Sequence, residues 1–172
     1  MKRLTIEPLE QSAFARFGDV IDTRRVEAQH YPINDGFTQR HHALSPVQAE
    51  GNSPILSIFE TRSFGIPLQI RMLERHPHGS QAFITMGDSG ARDFLIVVAE
   101  GEQAPDPETM RACRVSAGQG VNFHAGVWHH PNIVIEGSQT FLVVDRADPS
   151  SNLEEFTFSE EGFPFSMFVV RK

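Results

Sequence analysis

The chain has little of what several protein classes require. Its 172 residues include one cysteine, Cys113, so no internal disulfide can form and a disulfide-stapled secreted scaffold is excluded. Cys113 lies between Arg111 and Arg114 with no base beside it in sequence, which makes it a strand thiol rather than a nucleophile. Basic residues never run beyond two in a row and the formal net charge is −7, so a phosphate-tracking surface is excluded. No apolar run reaches membrane-spanning length, and the opening Met1-Lys2-Arg3-Leu4-Thr5-Ile6-Glu7-Pro8 has no signal-type apolar stretch. There is no internal repeat and no low-complexity tract. What remains is a reduced, cytoplasmic globular protein, long enough for one well-buried core and short for two, so 1–172 is expected to be a single domain.

What is present is punctuation. Thirteen glycines and eleven prolines separate short apolar runs, the pattern of an all-β chain with many turns. Strands are expected at Lys2–Ile6, Ile55–Glu60, Leu68–His76, Gln81–Met86, Phe94–Ala99, Ala112–Val115, Gly120–Phe123, Val127–Val134 and Thr140–Asp145. Turns are expected at Asn34-Asp35-Gly36 and at Gly87-Asp88-Ser89-Gly90. One short helix is predicted after Pro8, with an apolar stripe at Leu9, Ala13 and Phe17 and a stop at Gly18. Residues 22–53 read as polar and irregular. With no βαβ alternation, the fold class is an antiparallel β-barrel or jelly roll with one short N-terminal helix.

Two stretches carry chemistry. The first is Leu73-Glu74-Arg75-His76-Pro77-His78-Gly79-Ser80-Gln81. Strand alternation puts Leu68, Ile70, Met72, Glu74 and His76 on one face and Gln69, Arg71, Leu73 and Arg75 on the other. An apolar face that ends in Glu and His suits a strand lining a barrel and reaching a site near its mouth. The second is Gly118 followed, after five residues, by His124-Ala125-Gly126, two more residues and His129. These spacings resemble the two cupin signatures, with His124 where proline is usual and with altered ligand types in the first. The matching set is Glu74, His76, Gln81 and His129. One carboxylate, two imidazoles and an amide oxygen suit a borderline divalent ion, and the absence of thiolates argues against structural zinc. His124 is either a turn residue or a proton-transfer imidazole at the barrel mouth. Trp128 and His130 alternate away from His129, toward an outer face or subunit contact. His78 is expected in an exposed turn, and Arg40-His41-His42 on a solvated face or loop.

The strings Glu74-Arg75-His76-Pro77, Gln81-Ala82-Phe83-Ile84, Gly120-Val121-Asn122-Phe123-His124 and Val127-Trp128-His129-His130-Pro131 resemble the ureidoglycolate lyase family, also called ureidoglycolate hydrolase. The likeness extends to Phe17-Gly18-Asp19-Val20-Ile21 and to Phe141-Leu142-Val143-Val144-Asp145-Arg146. His78 and the phenylalanine-rich tail depart from the family pattern, which keeps His78 out of the ligand set. The resemblance implies a cupin-like barrel, a homodimer, nickel as the metal, and cleavage of (S)-ureidoglycolate to glyoxylate and urea in allantoin (purine) breakdown. Such an enzyme is a carbon–nitrogen lyase of the amidine-lyase class. The chemistry of that cleavage makes His124 the first candidate for proton transfer, with Glu74 as the alternative, and Gln81 and Arg40, or another arginine in its place, the substrate-binding residues. Phe156, Phe158, Phe163, Phe165 and Phe168 point to apolar surface packed on the domain or on a second subunit. Two alternatives remain at this point: another metal-dependent cupin enzyme such as a dioxygenase, and a cupin sensor that binds a small molecule.

Overall fold

The computed structural model describes residues 3–87, 92–148, 151–158 and 167–169, the last three for their main chain only. β1 (Arg3–Leu4) and β2 (Ile6–Pro8) precede one helical turn, α1 (Gln11–Phe14), and then β3 (Gly18–Ile21). A hairpin of β4 (His30–Ile33) and β5 (Thr38–His41) leads to β6 (Pro54–Arg62), β7 (Leu68–Ile70), β8 (Met72–Arg75), β9 (Gln81–Met86) and β10 (Phe94–Ala99). The chain continues through β11 (Arg111–Val115), β12 (Gly120–Phe123), β13 (Trp128–His129), β14 (Ile133–Val134) and β15 (Ser138–Arg146). It closes with β16 (Glu154–Thr157) and β17 (Met167–Val169).

Two sheets form the body. One runs β16-β8-β13-β10-β11-β2, with β14 also on β10, and the other runs β3-β12-β9-β15-β6. A smaller sheet, β1-β17-β7, forms a separate ladder whose Leu4 and Ile70 pack against the first of them. The fold is therefore all-β, a cupin-like barrel of jelly-roll type with one short N-terminal helix. Pairing is antiparallel except where β1 meets β17 and β2 meets β11.

β10 shows why the core takes this form. Its six residues are all buried, and their alternation divides them between two cores. Phe94, Ile96 and Val98 join Phe83, Val121, Phe123, Phe141 and Val143 between the two large sheets. Leu95, Val97 and Ala99 join Ile70, Leu73, Ala112, Trp128 and Ile133 on the far side. A strand covered on both faces has no use for polar residues, hence its unbroken apolar run.

Several expectations change. The helix is one turn, because β2 holds Pro8 extended beside Arg114 and the Leu9 N–H bonds the Arg114 carbonyl at 3.0 Å. Its buried residue is Phe14, with Leu9 and Phe17 buried on either side and Ala13 exposed. Gly18 opens a strand rather than capping the helix; a Cβ there would lie 2.1 Å from the Asn122 carbonyl oxygen. The span 22–53 contains a hairpin, turned at Asn34 and Asp35, both at positive φ.

The stretch 68–76 is not one strand. It breaks at Arg71, so Ile70 and Leu73 enter the same core and the predicted single face from Leu68 to His76 is split. Trp128 and His130 are 2% and 6% exposed, not on an outer face; the segment carrying Phe156 covers Trp128. Residues 88–90 of the turn expected at 87–90, and Phe163 and Phe165, fall outside the described residues.

Candidate metal centre

The inner face of the barrel changes character at one end. β9 sends Phe83 into the core and, two residues earlier, Gln81 to the end of it. β15 sends Phe141 and Val143 inward and then Asp145. β8 buries Leu73 in the outer core, so Glu74 points the other way, and β13 does the same with Trp128 and His129. Glu74 and His129 stand directly opposite each other in the ladder.

Glu74, His76 and His129 each bring a ligand atom to a common point, all within 4.8 Å of one another. Tautomers are set by the main chain. His76 Nδ1 lies 2.6 Å from the Asn152 carbonyl oxygen and His129 Nδ1 lies 2.9 Å from that of Val127. A carbonyl only accepts, so both Nδ1 atoms carry the proton and both Nε2 atoms present lone pairs. His76 Nε2 is buried and has no partner. His129 Nε2 faces Gln81 Oε1 at 3.3 Å and Glu74 Oε1 at 3.7 Å. Electron-pair donors face one another here with no hydrogen between them, an arrangement that a cation satisfies. Glu74, His76 and His129 thus fit a metal ion, and their donor types suit a borderline divalent one.

Electrostatics agree with that assignment. Burial pushes His129 down to about 3, with His76 adding to the effect, so the ring is neutral and its 3.7 Å approach to Glu74 is no ion pair. Burial, then the charge of Glu155, pushes Glu74 up to about 7; a bound cation is what would hold such a carboxylate ionised. Phe123 stacks on His129 at 4.3 Å and 11° and fixes the ring plane.

The other predicted site residues lie elsewhere. His124 is engaged with Asp19, its Nε2 3.2 Å from Asp19 Oδ2, which also accepts from Ser45 Oγ at 2.8 Å. It is not among the converging groups. Arg40 is exposed on the hairpin with its guanidinium 5.9 Å from the Tyr31 ring centre; among the described residues it bonds no member of the cluster. Arg75 points away from Glu74, lies over Trp128 and pairs with Glu154 at 2.5 Å. His78 is exposed and meets Glu50 at 3.2 Å.

Two groups at the centre were not anticipated. Asn152 holds His76 through its carbonyl, and its Oδ1 accepts from the His78 N–H at 2.7 Å. Nothing in the sequence signals that contact. Asp145 sits one step beyond the pair Val144–Ala82, which sets it opposite Gln81. Burial raises its carboxyl above the usual range, while His76 and a hydrogen bond from the Gln81 amide pull it back. The inward alternation Phe141, Val143, Asp145 was the signal that could have found it.

Two imidazoles and a carboxylate that fit a metal ion thus converge at one end of the interior of a cupin-like barrel. The chain belongs to the ureidoglycolate lyase family, whose model, described as "Ureidoglycolate lyase", matches residues 1–164. It is 48% identical over 163 residues to the ureidoglycolate lyase of Stutzerimonas stutzeri (strain A1501), covering 94% of this chain and 93% of that one. It is also 48% identical over 162 residues to that of Pseudomonas savastanoi pv. phaseolicola, covering 93% and 92%. A solved dTDP-6-deoxy-D-glucose-3,5-epimerase from Legionella pneumophila Philadelphia 1 superposes with a TM-score of 0.45 at 12% identity, covering 83% of this chain and 78% of that one.

Proposed function

We propose that the chain is a ureidoglycolate lyase that cleaves (S)-ureidoglycolate to glyoxylate and urea, in the breakdown of allantoin. One observation supports this above the rest: two main-chain carbonyls orient both imidazoles so that their free nitrogens meet Glu74, in a chain of that family. Gln81 is the fourth donor, because its amide hydrogen is turned to Asp145 and its oxygen to His129. Nickel is the ion we assign to the set Glu74, His76, Gln81 and His129.

The substrate is a carbinolamide, whose hydroxyl-bearing carbon already joins both products. Cleavage requires a proton to leave the hydroxyl, the carbon–nitrogen bond to break toward the ureido nitrogen, and a proton to reach that nitrogen. The ion, when bound, supplies Lewis acidity and a template for the hydroxyl and carboxylate oxygens. The chain supplies orientation and proton transfer. Glu74 is the group in the cluster able to take a proton, and we prefer it to His124, which is committed to Asp19. Phe123, stacked on His129, holds that ring in place on the inner wall.

We also infer a homodimer. The outer face of the five-stranded sheet presents an apolar row, Ile21, Gly120, Ile84, Leu142 and Ile58, paired strand to strand. Beside it Leu56 and Ile58 are 72% and 55% exposed. This face is the surface a second copy would cover, whereas Phe156 and Phe158 pack on the outer core.

Incubating purified protein with racemic ureidoglycolate tests the activity. Glyoxylate and intact urea are expected in equal amounts, with loss of activity on chelation and recovery with nickel. Ammonia in place of urea would indicate hydrolysis and overturn the lyase assignment.

A further inference from the structure

Asp145 is half-buried and carries a covered acceptor that the metal centre does not use. It stands on the inner face of β15, after Phe141 and Val143, at the end of the barrel where Glu74, His76 and His129 meet. It is not within the group of mutually close ligand atoms. One of its interactions is the hydrogen bond from the Gln81 amide. Its Oδ1 is covered from solvent and has no hydrogen-bond partner. A buried carboxylate oxygen without a donor is costly, on the order of 1–3 kcal/mol or more. Such a group calls for a donor from outside the chain, a water or a bound molecule.

The donor can be identified by chemistry. Ureidoglycolate presents a carboxylate, a hydroxyl and a ureido group. The carboxylate has no hydrogen to give, and a second carboxylate beside it is repelled. The ureido end carries the N–H groups, and it lies opposite the carboxylate across the reacting carbon. We propose that Asp145 Oδ1 receives an N–H of the substrate's ureido group, making Asp145 the residue that selects a carbamoyl-amine over other 2-hydroxy acids. This inference rests on the lyase assignment. It also accounts for the placement of Gln81, whose amide hydrogen occupies the other side of the same carboxyl.

The role is specific for one end of the substrate, which makes it separable from a structural one. N-carbamoylglycine carries the ureido group and carboxylate but no hydroxyl, so it should bind without reacting. Glyoxylate carries no N–H. Their affinities for the nickel-loaded protein are to be measured by calorimetry for the unsubstituted chain, Asp145→Ala and Asp145→Asn. Asp145→Ala should weaken N-carbamoylglycine at least tenfold and leave glyoxylate within about twofold. Asp145→Asn, which retains a carbonyl acceptor, should fall between. Nickel content by elemental analysis should be the same in all three. Equal losses for both ligands, no loss for either, an Asn variant as weak as the Ala variant, or depleted nickel would each overturn the assignment. Turnover of ureidoglycolate by the unsubstituted chain is read separately. If it fails while the two ligands still discriminate as stated, the lyase reading falls and the carbamoyl contact stands.

Discussion

His129 and His130 are neighbours in sequence and both lie out of solvent, yet they serve different surroundings. His129 faces the inner core and the cluster, stacked on Phe123. His130 bonds the Pro131 carbonyl at 2.7 Å and meets the Phe64 ring at 5.7 Å. Removing His129 should therefore strip the ion and lower turnover at least about 100-fold, since a lost Lewis acid is worth several kcal/mol. His130→Ala should lower the melting temperature, at a cost of about 1–3 kcal/mol, and leave turnover per folded molecule near normal. Activity and nickel content at matched folded concentration decide between them; the reverse outcome would place the wrong histidine in the centre. Glu74→Gln should also lose nickel while remaining folded, because the neutral amide relieves the repulsion from Glu155.

At the scale of the element, what was legible depended on whether a strand ran unbroken. Gly120–Phe123 and Phe94–Ala99 stand where their apolar pattern predicts. Along 68–76 alternation placed Glu74 and His76 together, but missed the break at Arg71, because a shift of phase leaves no mark in residue type. The hairpin at 30–41 was missed for the opposite reason: its residues are mostly exposed, so no apolar face announces it. Long-range partners such as the Asn152 carbonyl and Asp19 are set by tertiary approach and have no local signature. Close approach also explains Gly18, where alanine would drive a Cβ into the Asn122 carbonyl and part β3 from β12. Gly18→Ala should cost about 1–3 kcal/mol, read as a lower melting temperature. In β11, burial raises the Cys113 thiol from 9.0 to about 11. The folded protein holds that proton more tightly than the unfolded chain, so its contribution is complete below pH ~9 and is lost as pH rises to ~11, roughly 3 kcal/mol in all. Alkylation of the native protein at pH 8 should be slow, and fast after unfolding. Rapid native labelling would show that the strand is open.

On the scale of the molecule, the two large sheets close around one core and leave an apolar row on the outside of one of them. Leu56→Glu with Ile58→Lys should convert a dimer to a monomer at micromolar concentration, as followed by sedimentation, while the barrel stays folded. A monomeric unsubstituted chain would remove the need for that surface to be covered. Among the described residues no helix is long and apolar enough to cross a membrane.

The bond from His76 to the Asn152 carbonyl has a consequence for biosynthesis. Its two ends are 76 residues apart, so Glu74 and His76 leave the ribosome long before the group that fixes the imidazole. Until the segment carrying Asn152 has come round, no carbonyl holds the proton on Nδ1, and either ring nitrogen can carry it. The tautomer that turns the Nε2 lone pair toward Glu74 and His129 is therefore a property of the closed barrel.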